Sequence, residues 1–167
     1  PLTHNVECFG YKIIFKKQKG SLDADKLREL GIMPGPFYRE IKESDTFEFN
    51  GTVYNSSDFL SEDKQEKEIV VIPDTRYFNE LTDFVKNSNI IITECTYLLK
   101  EDAHHARKNY HLSIVDIEKM IAESKVESLF LTHISARYDK NIENGAIETL
   151  SGICNVRIAH DLEEFSL

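Results

Sequence analysis

Residues 68–75 read Glu-Ile-Val-Val-Ile-Pro-Asp-Thr, and this stretch decides the fold. Four consecutive branched aliphatic residues, Ile69 to Ile72, suit a strand buried on both faces. Pro73 ends the run and leaves an acid, Asp74, just past it. The same design recurs twice downstream. A strand over Asn89–Thr93 gives way to Glu94-Cys95-Thr96, and one over Val126–Thr132 runs into His133-Ile134-Ser135. Between these strands the apolar period changes. Phe78, Leu81, Phe84 and Val85 mark one face of a helix over 78–88, and 101–110 also reads as helix. Ser113 with Asp116 predicts a capped helix whose face is Ile114, Ile117, Met120 and Ile121. A short helix over 144–151 and a strand over Val156–Ala159 close the chain. Strands alternating with helices predict an α/β layer architecture. In such sheets the loops beyond strand ends gather functional residues. An Asp, a Glu and a His at three strand ends therefore form a candidate constellation.

Upstream, Val6–Phe15 is rich in β-branched and aromatic residues and reads as a strand. Ser21 is expected to cap a helix through Leu30, stopped by Gly31. Pro34-Gly35-Pro36 is the strongest break in the sequence and is expected to exclude helix there. Thr46–Phe49, Asn50-Gly51 and Thr52–Tyr54 predict a hairpin with a two-residue turn. Residues 55–67 are polar and read as loop. The whole is expected to be a single domain over 1–167.

The composition agrees with a globular chain. Of 167 residues, 41% are hydrophobic and 29% charged, enough apolar material for a core. The longest apolar run is four residues, far below the ~18 a membrane span needs. No secretory leader is visible, and Cys8, Cys95 and Cys154 are isolated from one another, without the paired spacing of a disulfide framework or zinc finger. Free thiols in a reducing cytoplasm are expected. The net charge of −9 argues against indiscriminate nucleic-acid binding. Residues 11–42 nevertheless hold eight basic and four acidic residues, a basic segment suited to local phosphate contacts.

These landmarks together resemble the ribonuclease Z family, zinc endonucleases of the metallo-β-lactamase superfamily that trim the 3′ ends of precursor tRNA. The resemblance runs from Pro1 to about Phe165. It is carried by Pro1-Leu-Thr-His4 leading into Glu7-Cys-Phe-Gly-Tyr11, by Gly31-Ile-Met-Pro-Gly-Pro36, by Asp74-Thr75-Arg76, by Glu94-Cys95-Thr96, by His111, and by Leu131-Thr-His133-Ile-Ser-Ala-Arg-Tyr138. It implies the C-terminal half of a metallo-β-lactamase αββα sandwich with a protruding arm. It also implies two zinc ions, with His4 a ligand of one, Asp74 bridging both and His133 a ligand of the second. Imidazole and carboxylate are suitable zinc donors. His111 would give a proton to the departing 3′ oxygen, and Glu94 would hold its ring. Residues 16–49 would be the arm that grips the tRNA body, through Lys16, Lys17, Lys19 and Arg39 and a turn shaped by Gly35 and Pro36. His104 and His105 match no motif of the family.

The chain departs from the family pattern at three places. Pro73 stands where the family has Gly before the bridging Asp, and Thr93 where it has His before the Glu. The family's main metal motif, His-x-His-x-Asp-His, lies upstream of the residue matched by His4 and occurs nowhere in this sequence. The expectation is thus a C-terminal portion with an incomplete ligand set. It would be inactive alone and completed by an N-terminal half or a second subunit, in a cytoplasmic homodimer acting on precursor tRNA. The alternatives are a non-catalytic RNA- or partner-binding module built on the same half-fold, and a hydrolase of some other phosphodiester.

Overall fold

The computed structural model describes residues 1–165. By internal packing the chain separates into two compact units, one of Pro1–Ile14 with the segment from Lys67 onward, the other Phe15–Glu66. The arm expected over 16–49 lies inside the second unit, which continues past it to Glu66.

The first unit is built on a five-stranded sheet. Its strands are β1 (Tyr11–Phe15), β4 (Lys67–Ile72), β5 (Ile90–Glu94), β6 (Ser128–Thr132) and β7 (Asn155–Ile158), in the order β1-β4-β5-β6-β7. β4, β5, β6 and β7 pair in parallel, with Ile72 opposite Thr93 and Glu94 opposite Thr132. This register brings the ends of β4, β5 and β6 to one edge of the sheet. The helices α3 (Glu80–Val85), α4 (Ala103–Lys108), α5 (Ile114–Ile121) and α6 (Lys140–Ser151) alternate with these strands. The α/β class expected from the periodicity is the class observed.

One face of the sheet carries the main core. Val70, Ile72, Ile91, Leu129, Leu131 and Val156 pack with Leu81 and Val85 of α3, Ile117, Met120 and Ile121 of α5, and Leu150 of α6. The opposite face carries a smaller cluster of Ile69, Ile90 and Phe130, flanked by Val71, Ile92 and Phe165. Among the described residues no helix is long and apolar enough to cross a membrane.

The second unit contains α1 (Ala24–Glu29), α2 (Pro36–Glu43) and the antiparallel hairpin of β2 (Thr46–Phe49) and β3 (Thr52–Asn55). Asn50 and Gly51, at φ 52° and 78°, form the left-handed two-residue turn that the Asn-Gly pair predicts. Leu27, Ile32, Ile41, Phe47 and Phe59 make a separate small core. Its aromatics interlock: the Phe47 ring stacks on Tyr54 and meets Phe59 edge-on, each at 5.4 Å between centroids.

Several local expectations change. The first strand is shorter than Val6–Phe15, because residues 5–10 run without ladder bonds up to Tyr11. The first helix is capped by Asp23, not Ser21, with the Asp23 carboxylate accepting from the N–H groups of Asp25 and Lys26. Gly31 stops it as expected, at φ 87°. Pro36 begins a helix where a break was expected, because a proline at the first helical position has no N–H to lose and a φ already suited to helix. Residues 56–59 form a 3-10 turn that buries Ser56 and Phe59. The last helix starts four residues earlier than 144, where Asp139 caps it through the N–H groups of Asn141 and Ile142.

Candidate active site

Glu94 organises the site. It ends β5 and is fully buried, an environment a carboxylate tolerates only when its oxygens are satisfied. Five donors meet that need. Oε1 accepts from the backbone N–H of Thr75 (3.0 Å) and of Leu112 (3.0 Å) and lies 3.1 Å from His111 Nδ1. Oε2 accepts from the Thr96 N–H (3.0 Å) and the Thr96 hydroxyl (2.8 Å). One carboxylate therefore ties together the loops after β4 and β5 and the segment before α5. The last of these is held by a capping box in which the Ser113 N–H and hydroxyl both donate to Asp116 Oδ2, at 3.0 and 2.6 Å.

Donor counting fixes two imidazoles. A carboxylate only accepts, so His111 bears its proton on Nδ1 toward Glu94 and turns Nε2 away from it. The Thr96 hydroxyl spends its one hydrogen on Glu94, so at 2.9 Å it accepts from His133 Nδ1. His133 Nε2 is then also free of its proton in the neutral ring, and it lies 3.7 Å from Asp74 Oδ2. The two rings stack at 5.2 Å with only 18° between their planes. Asp74, His111 and His133 offer three ligand atoms all within 4.8 Å of one another. A histidine anchored at one nitrogen by a carboxylate, a backbone carbonyl or another fixed acceptor and open at the other is the usual arrangement behind a metal ligand.

His133 and Tyr110 both adopt left-handed backbone, at φ 54° and 62°. Outside glycine this conformation is uncommon and clusters at functional sites. Here it turns the chain immediately after β6 and immediately before His111.

His4 is brought to the same site, anchored through a backbone carbonyl. Its Nδ1 donates to the Tyr110 carbonyl at 3.1 Å, and its ring lies 5.3 Å from that of His111. Its nitrogens do not join the set of Asp74, His111 and His133. The N-terminal segment is pinned, not frayed: the Thr3 N–H donates to Thr75 Oγ1 and the Arg76 N–H to the Thr3 carbonyl, both at 3.0 Å. The ligand set implied by the resemblance was His4, Asp74 and His133; the structure brings Asp74 and His133 together with His111, and His4 lies beside His111. Three such donors suit one zinc ion, and among the described residues no second set accompanies them to hold a pair.

Two features were not singled out from the sequence. Thr96 links Glu94 to His133, a role hidden inside the Glu94-Cys95-Thr96 landmark. Arg137 donates to Asp102 Oδ2 (3.1 Å) and to the Tyr138 hydroxyl (2.9 Å), while Tyr138 donates to the same Asp102 oxygen (2.6 Å). The Arg137 guanidinium also lies 4.8 Å from the Tyr97 ring centre. Burial, then the bond to Asp102, raises the Tyr138 phenol above its ordinary value. Cys95 sits between these groups without chemistry of its own: burial, then the carboxylates of Glu94 and Asp116, push its thiol well above the ordinary value.

In the second unit Lys17 pairs with Asp63 at 3.3 Å and Arg39 with Glu43 at 2.8 Å, both exposed. Lys16 and Lys19 have no ion-pair partner among the described residues. Gly35 and Pro36 form the start of α2. Phe15–Glu66 holds eight basic and eleven acidic residues, a net of −3, because the acids of 43–66 outweigh the basic stretch before them.

No protein-family model matches the chain. Proteins named Ribonuclease Z from Bacillus thuringiensis (strain Al Hakam), Bacillus cereus (strain AH820) and Bacillus anthracis (strain A0248) are each 34% identical to it over 169 residues. Each alignment covers 98% of this chain and 54% of the relative, so the chain spans about half the length of the curated relatives it matches. The resemblance read from the motifs thus holds along nearly the whole chain. Among solved structures, the metallo-beta-lactamase fold protein YhfI from Bacillus subtilis is similar at 22% identity and a TM-score of 0.45, over 55% of this chain and 37% of that one. A likeness of that extent decides nothing further.

Proposed function

We propose that this chain is the C-terminal portion of a ribonuclease Z-type endoribonuclease that removes 3′ trailers from precursor tRNA. The observation that carries the reading is the buried Glu94 carboxylate. It fixes His111 with one nitrogen free and places it beside Asp74 and His133, at the ends of adjacent parallel strands. The match to proteins named Ribonuclease Z over 98% of the chain supports it.

His111 is the group that handles the leaving oxygen. Protonated, its ring carries a hydrogen on Nε2 that can pass to the departing 3′ oxygen as the phosphorus–oxygen bond breaks. Glu94 stabilises the cation beforehand and keeps the neutral ring in place afterwards. A positioned acid of this kind contributes about 10²–10⁴-fold. Asp74 and His133 are the donors this chain brings to a metal in the assembled site. A two-ion centre needs ligands that this sequence does not contain, so activity requires the remainder of the fold. Lysines of the 15–66 unit meet RNA phosphates away from the scissile bond.

The test is a gel assay of trailer release from precursor tRNA. It uses this chain alone and this chain joined to a ribonuclease Z N-terminal portion carrying His-x-His-x-Asp-His. The joined protein is expected to cleave and the bare chain not. In the joined protein His111→Ala should lower kcat at least about 100-fold while leaving tRNA affinity within about threefold. A folded, metal-loaded joined protein that binds tRNA without cutting it would instead mark a binding module.

A further inference from the structure

We propose that Arg76, held over the Tyr110 ring, takes the RNA phosphate one linkage to the 5′ side of the cleaved bond. The inference rests on the RNA-cleaving reading and adds to it a residue that fixes the strand at the cut.

The Arg76 guanidinium lies 4.8 Å from the centre of the Tyr110 ring. The residue is exposed, and among the described residues its guanidinium has neither an ion-pair partner nor a hydrogen bond. A guanidinium held over an aromatic face is oriented without spending its N–H donors. Its planar fork is then open to two oxygens of one phosphate. Arg137 makes the contrast. It too lies 4.8 Å from an aromatic ring, that of Tyr97, but its donors are already bonded to Asp102 and Tyr138.

Both members of the Arg76–Tyr110 pair are set by one carboxylate oxygen. Glu94 Oε1 accepts from the Thr75 N–H, one residue before Arg76, and from His111 Nδ1, one residue after Tyr110. The Arg76 backbone is fixed further. Its N–H donates to the Thr3 carbonyl, and its carbonyl accepts from the Thr75 hydroxyl, both at 3.0 Å. Tyr110 is fixed by its left-handed φ of 62° and by His4 Nδ1 on its carbonyl. The pair thus rises from pinned backbone on both sides, next in sequence to the groups of the site.

That placement names the ligand. The chain carries a net charge of −9, and Asp74 and Glu94 add negative charge at the site itself. An RNA strand is therefore drawn in by a cation standing where it must pass, not by the chain as a whole. His111 serves the departing 3′ oxygen, which stays on the tRNA body. Tyr110 and Arg76 stand beside His111, on the body side of the cut, where the next phosphate is the one 5′ of the cleaved linkage. Such a contact carries no sequence information; it fixes where the strand sits.

The experiment measures, by fluorescence anisotropy, how the metal-loaded joined protein binds two precursor tRNAs. Both carry an uncleavable 3′-methylene phosphonate at the cleavage linkage and a 2′-O-methyl group at the next linkage upstream. That upstream linkage is an ordinary charged phosphate in one RNA and a neutral methylphosphonate in the other. The neutral linkage should weaken binding by the unaltered protein about tenfold. Arg76→Ala should bind the two RNAs alike, and its slope of log affinity against log salt on the charged RNA should be lower by about 0.7. Arg76→Lys, a point charge without the fork, should discriminate by less than about threefold. Tyr110 is a positioning residue: Tyr110→Leu should narrow the discrimination, and Tyr110→Phe, which keeps the ring face, should restore it. A merely structural role for either residue would weaken both RNAs equally and leave the ratio in place. Circular dichroism confirms folding, and if Arg76→Ala does not fold, Arg76→Lys decides. No binding of either RNA, equal binding of both by the unaltered protein, a tenfold ratio that persists in folded Arg76→Ala, or a larger effect of a neutral linkage on the 3′ side of the cut would each overturn the proposal. A joined protein that shows the ratio but does not cleave ordinary precursor tRNA would overturn the cleavage reading alone, and one that cleaves without showing the ratio would overturn this proposal alone.

Discussion

Glu94 shows how much one side chain can decide. Replacing it with Gln keeps the shape but puts two N–H donors where an oxygen now faces other donors. Any rotamer then sets an amide group against the Thr75 and Leu112 N–H groups or against Thr96. Glu94→Gln is expected to cost about 2–4 kcal/mol in urea unfolding, since hydrogen bonds to a charged group contribute about 1.5–3 kcal/mol each and some donors are left unmatched. Its neighbour Cys95 gives a pH-dependent signature. The folded thiol is raised well above its ordinary value of 9.0 by burial. Above about pH 9 the unfolded chain loses that proton while the folded chain keeps it, so stability is flat below pH 9 and falls as pH rises beyond it. Cys95→Ala should remove its share of that fall, measured as the difference in urea midpoints between pH 8 and pH 10. Asp74, Glu94 and His133 were legible in the sequence because each is polar at the end of an apolar run. The approach of His111 to Asp74 and His133 was not. It depends on the left-handed backbone at Tyr110 and His133 and on the Thr96 bridge, which no spacing encodes.

At the scale of elements, legibility followed the strength of the local signal. The Ser113–Asp116 box was read correctly because both partners are local and the apolar face behind them is regular. The box has a functional load: it anchors the start of α5 directly after His111 and Leu112, which donate to Glu94. Ser113→Ala is therefore expected to cost about 1 kcal/mol by urea unfolding. Asp116→Ala should cost more, because it strands the Ser113 N–H and hydroxyl in a fully buried place. Helix α2 was missed for the converse reason. Its first residue is a proline, and a proline breaks a helix everywhere except at its beginning. The start of α6 was missed because residues 140–143 carry one apolar side chain, Ile142, and the signal lies in the Asp139 cap. β1 was overextended because aromatic and branched residues continue upstream of Tyr11. All five of its residues are exposed, so composition alone could not mark where pairing begins.

At the scale of the whole molecule, the boundary between the two units defines a clean experiment. An excision limited to 16–49 would remove α1, α2 and β2 and leave Tyr54 and Phe59 without the Phe47 ring they pack on. Removing Phe15–Glu66 entire avoids this. The ends left behind lie close, because Lys12 and Glu68 form an ion pair at 2.7 Å, so a short Gly-Ser linker can join Ile14 to Lys67. The net of −3 on the excised unit means that the proposed grip on RNA would depend on where lysines sit and not on their number. Lys16, Lys19 and Lys42 lack an ion-pair partner among the described residues, whereas Lys17 and Arg39 already have one. In the joined protein the excision should weaken tRNA binding at least about tenfold. It should also reduce the slope of log affinity against log salt by about 2–3, the share expected of three released phosphate contacts. The sheet unit should keep its far-ultraviolet circular dichroism, since Asp74, Glu94, His111 and His133 and the strands that lead to them lie outside the excised segment. Reversing the three lysines together to Glu in the intact joined protein should reproduce most of the loss. An unchanged salt slope after excision would take the 15–66 unit out of RNA recognition and leave that role to the sheet unit.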